Sequence, residues 1–337
     1  MRIFPINKPC VIGTMGDPAG IGPEVIGSSL EDVQIPGEAA LVLVGDTELI
    51  ERYLPGRYSK KDLNVISLKE EISLDPSRVN IIDPGPDLRD RSPGLPTSEG
   101  ARKALNCLFT SVAIVKALPD ASRAGIVTGP VNKSAIASIS PGFIGHTEYF
   151  RDSFPVEHTT MVLAGDRLCV SPVTRHIPVA DVPTKLTPAL LAVTIRDIVA
   201  NRKFLTGKDD PVIGVSALNP HCGEDGTIGR EEIDMIAPVV NAEREQYKNI
   251  IGPVSADTIF YKALKGDIDI VIAMYHDQGL APFKMIDFDS GVNVTLGLPC
   301  VRTSPDHGTA YDIAGRGVAS SVSMRNAFKL ALRALCI

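Results

Sequence analysis

The fold is decided by the stretch CVIGTMGDPAGIGPEVIGSSL, residues 10 to 30, in which an apolar run passes through a glycine-rich turn into an amphipathic segment. Cys10–Met15 predicts a buried strand, and Pro23–Leu30 predicts a helix that begins at a proline. The same alternation continues along the chain. Further predicted strands are Ala40–Val44, Gly125–Thr128, Val212–Ala217 and Ile268–Met274, and further predicted helices are Ser98–Ala117, Pro188–Asn201, Gly229–Ile236, Asp257–Lys265 and Val322–Leu335. This alternation indicates an α/β fold with a largely parallel sheet, which we expect to form two three-layer α/β/α domains with a cleft between them.

The composition excludes several classes of protein. The chain has 337 residues, 44% of them hydrophobic, and a net charge of −6, which suits two globular domains. It has no run of Lys and Arg, so nucleic acid is not an expected partner. No apolar stretch approaches the roughly 18 residues of a membrane span, and no signal peptide is recognisable. The six cysteines are scattered without a C-x-x-C pair, so we expect a cytoplasmic protein with reduced thiols.

The most unusual segments directly follow predicted strands, where open parallel sheets bind their ligands. They are Thr14–Gly20, Thr128–Lys133, Asn219–His221 and Tyr275–Asp277. Gly16–Glu24 opens a helix, so its backbone amides could hold an anion, although a tight strand-to-helix turn explains it equally well. The chain contains neither G-x-G-x-x-G nor G-x-x-x-x-G-K-[ST]. A standard Rossmann site or P-loop is therefore not expected.

Three of the six histidines, His176, His221 and His276, lie in similar polar loops. Three neutral imidazoles suit a divalent metal such as Zn²⁺, Co²⁺ or Mn²⁺, and three protein ligands leave positions open for a substrate. Asp277 and Glu224 are placed to orient these rings. Each histidine taken singly is also explained as a hydrogen-bonded loop residue, because the spacing matches no metal motif.

Lys284, Asn293 and Arg302 follow one another at intervals of nine residues within apolar sequence. A cation in such surroundings is costly unless it has a partner, so Lys284 and Arg302 are each also explained as members of a salt bridge. Together they also suit a bound phosphate or carboxylate.

Seven ordered segments together resemble the family of 4-hydroxythreonine-4-phosphate dehydrogenase. They are Gly16–Glu24, Gly129–Lys133, Gly145–Glu148, Leu218–Glu224, Gly252–Asp257, Tyr275–Leu280 and Gly291–Gly317. The resemblance implies an isocitrate/isopropylmalate-dehydrogenase-like fold and a homodimer with active sites near the subunit interface. Approximate boundaries place residues 1–139 and 300–337 in the first α/β/α domain and residues 140–299 in the second.

The same resemblance implies a set of site residues. His176, His221 and His276 would bind one divalent metal (Zn, Co, Mn or Mg). The implied substrate ligands are His146, Thr147, Lys284, Asn293 and Arg302. The segment His307–Gly317 is similar to the adenine-binding loop of isopropylmalate dehydrogenases, which implies NAD or NADP binding through His307, Gly308, Thr309 and Asp312.

The implied reaction is metal-dependent oxidation of 4-hydroxythreonine 4-phosphate to a β-keto acid. This product loses carbon dioxide to give 3-amino-2-oxopropyl phosphate for pyridoxal phosphate synthesis. A metal lowers the pKa of a bound hydroxyl, and the nicotinamide accepts the hydride. The general base stays open among Asp257, Asp277 and Lys133.

Several alternatives remain at this point. Position 132 is Asn where some members of the family that make the vitamin precursor carry His, so a threonate- or erythronate-4-phosphate dehydrogenase is the main alternative. Three histidines could instead activate water in a zinc hydrolase, which would need no nicotinamide. A metabolite-binding protein without turnover is a third reading.

Overall fold

The structure is a computed structural model that describes residues 8–37, 39–67 and 73–335. The strands are β1 (Cys10–Thr14), β2 (Ala40–Val44), β3 (Leu63–Ser67), β4 (Val79–Asp83), β5 (Ala124–Thr128), β6 (Thr160–Ala164), β7 (Cys169–Thr174), β8 (Ile213–Ser216), β9 (Ile250–Val254), β10 (Ile270–Tyr275), β11 (Val292–Leu296) and β12 (Val301–Pro305). The α-helices are α1 (Gly22–Ser29), α2 (Thr47–Tyr53), α3 (Ser98–Ala117), α4 (Lys133–Ile139), α5 (His146–Ser153), α6 (Val182–Lys185), α7 (Pro188–Thr206), α8 (Ala237–Arg244), α9 (Ala256–Lys265), α10 (His276–Asp287) and α11 (Val322–Leu335). Within the described ranges, no helix has the length and apolar character needed to cross a membrane.

The chain divides into two compact units. The first contains residues up to Thr159 together with those from Leu298 onward, and the second runs from Thr160 to Gly297. The sequence-based boundary at residue 140 differs from this division. Phe150 and Phe154, at the end of α5, pack into the apolar core of the first unit, so residues 140–159 belong to that unit.

In the first unit the sheet is parallel, with strand order β3-β4-β2-β1-β5-β12. Alternate residues of β1 face opposite sides, as the pleat of a strand requires. Cys10 and Ile12 share a core with Cys107 of α3. Gly13 points the other way, where an added Cβ would lie 2.8 Å from Phe328 of α11. Helices therefore cover both faces, which confirms the predicted three layers in this unit.

The second unit contains a mixed sheet with strand order β11-β6-β7-β10-β8-β9. The strands β7, β10, β8 and β9 are parallel, but β6 is antiparallel to both of its neighbours. The expectation of a largely parallel sheet is wrong at this edge. A tight hairpin joins β6 to β7, and the buried Asp287 carboxylate accepts hydrogen bonds from the turn amides of Arg167 and Leu168 at 3.1 and 2.8 Å. A connection this short can join only antiparallel strands.

The predicted helix Gly229–Ile236 forms later than expected. A π-helical turn spans Glu232–Ile236 and continues directly into α8. Such turns are rare inside helices and occur often near functional sites.

A buried charge network lies at the carboxyl ends of β2 and β4. The Lys103 side chain is fully buried, is bonded to the Asp83 carboxylate and lies 3.6 Å from Asp46 Oδ2. Arg91 Nε donates to Asp46 Oδ1 at 2.9 Å, and the same oxygen accepts from the amide of Leu49 in α2. The network fixes α2 and the segment after β4 to α3.

Replacement of Lys103 by Met tests the contribution of this network to stability. The variant keeps the volume of the side chain but leaves the buried Asp46 without its lysine, which we expect to cost about 3–5 kcal/mol of unfolding free energy. Urea denaturation followed by circular dichroism measures the change. Arg230→Met, which removes an exposed ion pair with Asp234, is the control and should leave the midpoint near that of the wild type. A Lys103→Met midpoint equal to that of the control would show that the network contributes little.

Candidate active site

Two of the predicted metal ligands, His176 and His276, lie together in the second unit. His176 follows β7 and His276 follows β10, and these parallel strands are paired so that Tyr275 lies opposite Thr174. The two imidazole centroids are 5.3 Å apart, with an angle of 47° between the ring planes. The register of the two strands therefore brings the two rings to one edge of the sheet.

The geometry of this pair fits two ligands of one metal ion. With metal–nitrogen distances of about 2.0–2.1 Å and tetrahedral angles, two imidazole centroids lie about 5 Å apart. His276 Nδ1 is hydrogen-bonded to Asp277 Oδ1 at 2.6 Å, which leaves Nε2 for a ligand and orients the ring. Both histidines and Asp277 line one pocket. Asp277 thus makes the orienting contact that its position beside His276 predicts.

His221 lies at the same edge, on the segment after β8, which pairs with β10. Its side chain is exposed, and its backbone is left-handed with φ of 52°. Among the described residues, no three His, Cys, Asp or Glu side chains lie close enough together to hold a metal. The chain therefore assembles the His176–His276 pair, and the role of His221 as the third ligand stays a prediction. Glu224, predicted to orient an imidazole, is exposed and also left-handed.

A second group of predicted residues meets in the first unit. Arg302 of β12 is buried and donates from Nη2 to Thr128 Oγ1, at the end of β5, at 2.8 Å. Burial lowers the pKa of Arg302 to about 10, with nearby Glu148 acting in the opposite direction. Burial, assisted by the charges of Arg302 and Lys133, holds the pKa of His146 well below 6.5.

His146 is the most informative member of this group. Its Nε2 is buried and has no hydrogen-bond partner among the described residues. Lys133 begins α4, and Asn132 caps that helix by accepting from the Ala135 amide at 2.9 Å. A neutral imidazole beside an arginine and a lysine gives a polar, positively charged site suited to an anion. Thr147 follows His146 in α5 and is half-buried.

The three residues spaced nine apart do not share one unit. Lys284 of α10 and Asn293 of β11 belong to the second unit, whereas Arg302 belongs to the first. Lys284 Nζ lies 5.0 Å from the ring centroid of Phe288, a cation–π contact. Arg302 instead joins His146 and Lys133, which the sequence spacing did not indicate.

The predicted cofactor loop is anchored by two carboxylates that the sequence analysis did not single out. Tyr311 donates its hydroxyl proton to Asp17 Oδ2 at 2.7 Å. Glu24 accepts from the amides of Gly315 and Ala319 at 3.1 and 3.3 Å. Both acids are buried, and both lie in the quoted stretch at residues 10 to 30, where they stand among glycines and apolar residues. A carboxylate among apolar residues is costly to bury unless it is hydrogen-bonded, so the positions of Asp17 and Glu24 in the sequence already indicated that each has a partner.

These contacts also bear on Gly16–Glu24. The amides of Asp17, Ala19, Gly20 and Ile21 all donate to oxygen atoms of the protein. Because these donors are engaged, the structure favours the tight-turn interpretation over the anion site. His307, Gly308, Thr309 and Asp312 lie on the anchored loop, with the Asp312 side chain exposed and His307 Nδ1 3.1 Å from the Gly308 carbonyl oxygen.

The three candidate bases occupy different environments. Asp277 contacts His276, Lys133 lies near His146, and the exposed Asp257 lies in the first turn of α9. Asp257 is close enough to Cys222, the neighbour of His221, to contribute to the raised pKa of that thiol, which burial raises most. None of these contacts singles out one base.

Comparisons with known proteins agree with this architecture. The family model for "Pyridoxal phosphate biosynthetic protein PdxA" matches residues 38–331. The chain is 39% identical over 326 residues to a 4-hydroxythreonine-4-phosphate dehydrogenase of Desulforapulum autotrophicum, covering 96% of this chain and 95% of the relative. It is also 39% identical over 328 residues to a D-threonate 4-phosphate dehydrogenase of Cupriavidus necator, covering 95% of each.

Solved structures give the same result. A 4-hydroxythreonine-4-phosphate dehydrogenase from Klebsiella pneumoniae has a TM-score of 0.78 at 37% identity and covers 98% of both chains. A β-decarboxylating dehydrogenase from Thermococcus kodakarensis, 13% identical with a TM-score of 0.54, covers 97% of this chain and 84% of its own, and shares the fold alone. The predicted fold class and the family resemblance are confirmed: the chain belongs to the PdxA family of pyridoxal phosphate biosynthetic proteins.

Proposed function

We propose that this chain is a metal-dependent, NAD(P)-linked dehydrogenase that oxidises 4-hydroxythreonine 4-phosphate. The observation that carries the proposal is the His176–His276 pair, whose 5.3 Å centroid separation suits one shared metal ion. The names of the relatives from Desulforapulum autotrophicum and Klebsiella pneumoniae support this substrate.

The residues at the edge of the second unit would hold the metal. His176 and His276 would provide two ligands, with Asp277 fixing the ring of His276, and His221 would provide the third. When bound, such a metal polarises the substrate hydroxyl and favours loss of its proton, and a bound nicotinamide accepts the hydride. The oxidised product is a β-keto acid, which loses carbon dioxide to give 3-amino-2-oxopropyl phosphate.

The group around Arg302 in the first unit would bind an anionic part of the substrate. Arg302 keeps its charge at neutral pH, because its lowered pKa is still about 10. The ring nitrogen of His146 can accept or donate a hydrogen bond as its tautomer allows. We assign substrate binding to these residues together with Thr147, Lys284 and Asn293.

We further propose a cytoplasmic homodimer that binds NAD or NADP on the loop from His307 to Asp312. The Asp312 side chain is exposed, and its carboxylate would accept hydrogen bonds from ribose hydroxyls, which would favour NAD over NADP. The metal would be Zn, Co, Mn or Mg. Which of these ions occupies the site in the cell depends both on its affinity for the ligands and on its availability.

A second candidate substrate is D-threonate 4-phosphate. The relative from Cupriavidus necator bears that name and is as similar as the other curated relative. Asn132, which stands beside Lys133 near the anionic site, is the residue of this chain that favours the alternative. A zinc hydrolase has no comparable support, because the relatives reported above are named dehydrogenases.

A paired assay decides between the two substrates. Purified protein, a divalent metal and NAD⁺ or NADP⁺ are mixed with either 4-hydroxythreonine 4-phosphate or D-threonate 4-phosphate, and reduction of the nicotinamide is followed by absorbance. We expect turnover with the first that is lost on metal chelation and restored by added metal. A preference for the second would keep the chemistry and change the substrate. If the protein has confirmed bound metal but turns over neither substrate, the proposal is contradicted.

Replacement of Arg302 by Met tests the anionic subsite. Loss of charge-assisted hydrogen bonds should lower kcat/KM for the phosphorylated substrate by about 10- to 100-fold. The dephosphorylated analogue should lose much less. Arg230→Met, at an exposed bend in the second unit, is the control for loss of a positive charge. Equal losses for both substrates would remove Arg302 from phosphate binding.

The neutrality of His146 predicts a pH dependence of stability. Between pH 6.5 and 5.5 the unfolded chain binds a proton at this histidine but the folded chain does not, because its pKa is lowered. The unfolding free energy therefore falls as the pH falls through this window, with a slope of at most about 1.4 kcal/mol per pH unit for one proton. His146→Gln should therefore reduce the difference in unfolding free energy between pH 7.5 and 5.5, as measured by denaturant titrations at the two pH values. An unchanged difference would show that folding does not lower the pKa of His146.

A further inference from the structure

The segment that carries His221 has an unusual backbone. His221, Cys222, Glu224 and Asp225 all have positive φ, between 45° and 56°, and Gly223 has φ of 79°. A left-handed turn is unfavourable at every residue that bears a Cβ, so surrounding contacts must hold it in place. His221 and Glu224 are exposed, so their own side chains contribute little packing to that task.

The contacts that hold the entrance of this turn converge on Glu232. Its Oε1 accepts hydrogen bonds from the amides of Leu218 and Asn219 at 2.8 and 2.7 Å. Its Oε2 accepts from Asn219 Nδ2 at 3.0 Å. The side chain is buried, at 2% exposure. A buried carboxylate therefore fixes both peptide groups that lead from β8 into the left-handed turn.

The same residue also packs against the body of the turn. A Cβ added at Gly223 would lie 2.9 Å from Glu232 Oε2 and 2.4 Å from the Gly229 carbonyl oxygen. The amide of Ile228 closes the turn by donating to the Gly223 carbonyl oxygen at 3.0 Å. Glu232 itself begins the π-helical turn that precedes α8. The Glu232 carboxylate thus connects the left-handed turn to the π-helical turn that precedes α8.

We infer that Glu232 is the positioning residue for His221, fixing the left-handed turn so that this imidazole is presented for metal binding. The inference rests on the proposed role of His221 as a metal ligand. The polar atoms that Glu232 engages belong to Leu218 and Asn219, the two residues directly before Pro220-His221. Mutation of a residue that orients a metal ligand through hydrogen bonds typically weakens metal binding by about 10- to 100-fold.

Glu232→Gln is the decisive variant. The amide keeps the size of the side chain but replaces one acceptor oxygen by a donor. In either orientation of that amide, its NH₂ group faces Asn219 Nδ2 or the two backbone amides, so at least one donor loses its acceptor. We expect the turn to loosen without a cavity in the core.

Two further variants make the test specific. Glu231→Gln is the matched control, because Glu231 also accepts from Asn219 Nδ2, at 2.6 Å, and its glutamine still offers an oxygen there. Asn219→Ala removes one contact to Glu232 at a half-buried position and serves if Glu232→Gln does not fold. It should weaken metal binding about fivefold, the usual value of a single hydrogen bond.

The measurement is Co²⁺ binding to the full chain, followed by the visible absorption of the ion and by competition with Zn²⁺. Circular dichroism and the melting temperature of the metal-free protein are recorded for each variant. We expect the Kd for Co²⁺ to rise about 10- to 100-fold in Glu232→Gln and to stay unchanged in Glu231→Gln. The absorption bands of the weakened complex should shift toward those of His221→Ala, which a loss of stability alone would not produce.

The outcomes separate this inference from the proposed function. Wild-type Co²⁺ affinity in Glu232→Gln and Asn219→Ala, together with loss in His221→Ala, would overturn the role of Glu232 and leave the metal site standing. Wild-type affinity in His221→Ala, or no Co²⁺ binding by the wild type, would overturn the proposed metal site and the inference with it.

Discussion

The parallel register of β7, β10 and β8 is the constraint on which the candidate metal site depends. Because neighbouring strands run in the same direction about 4.8 Å apart, the turns that follow them leave the sheet at one edge. Val271 lies opposite both Val170 and Gly214, so the three strands end almost level. Gln278 reinforces this edge by accepting from the Met274 amide and donating to the Ala217 carbonyl oxygen. The separation of His176 and His276 follows from that alignment.

Buried carboxylates hold three of the loops that follow strands or precede helices. Glu24 and Asp17 anchor the loop before α11, Glu232 anchors the turn after β8, and Asp287 anchors the β6–β7 hairpin. In most of these contacts the carboxylate accepts backbone N–H groups that lack a partner in regular secondary structure. A charge-assisted bond of this kind is worth about 1.5–3 kcal/mol, which offsets desolvation and the cost of left-handed residues. The loops are irregular in conformation but fixed in position.

Much of the fold could be predicted from the sequence, because β1, β2, β5, β8 and β10 are apolar runs bounded by turn residues. The strands β3 and β12 each carry more than one polar residue, so periodicity alone did not reveal them. His176 and His276 could be proposed as a pair because both follow strands that end at one edge. The partnership of Arg302 with His146 and Thr128 depends on the pairing of β12 with β5, which joins residues more than 150 positions apart. The role of Glu232 could not be predicted either, because it depends on the conformation of the left-handed turn after β8, which no sequence pattern describes.

The group around Arg302 shows how the candidate substrate site is linked to stability. Burial of the guanidinium removes its hydration, which the lowered pKa expresses, and Thr128 and Glu148 offset only part of that loss. Burial also keeps His146 neutral, so the imidazole adds no further positive charge beside the arginine. An anionic group bound here would add electrostatic stabilisation to the buried guanidinium. Ligand binding and the stability of this edge of the first unit are therefore coupled, because any ligand that binds the folded state alone shifts the folding equilibrium toward it.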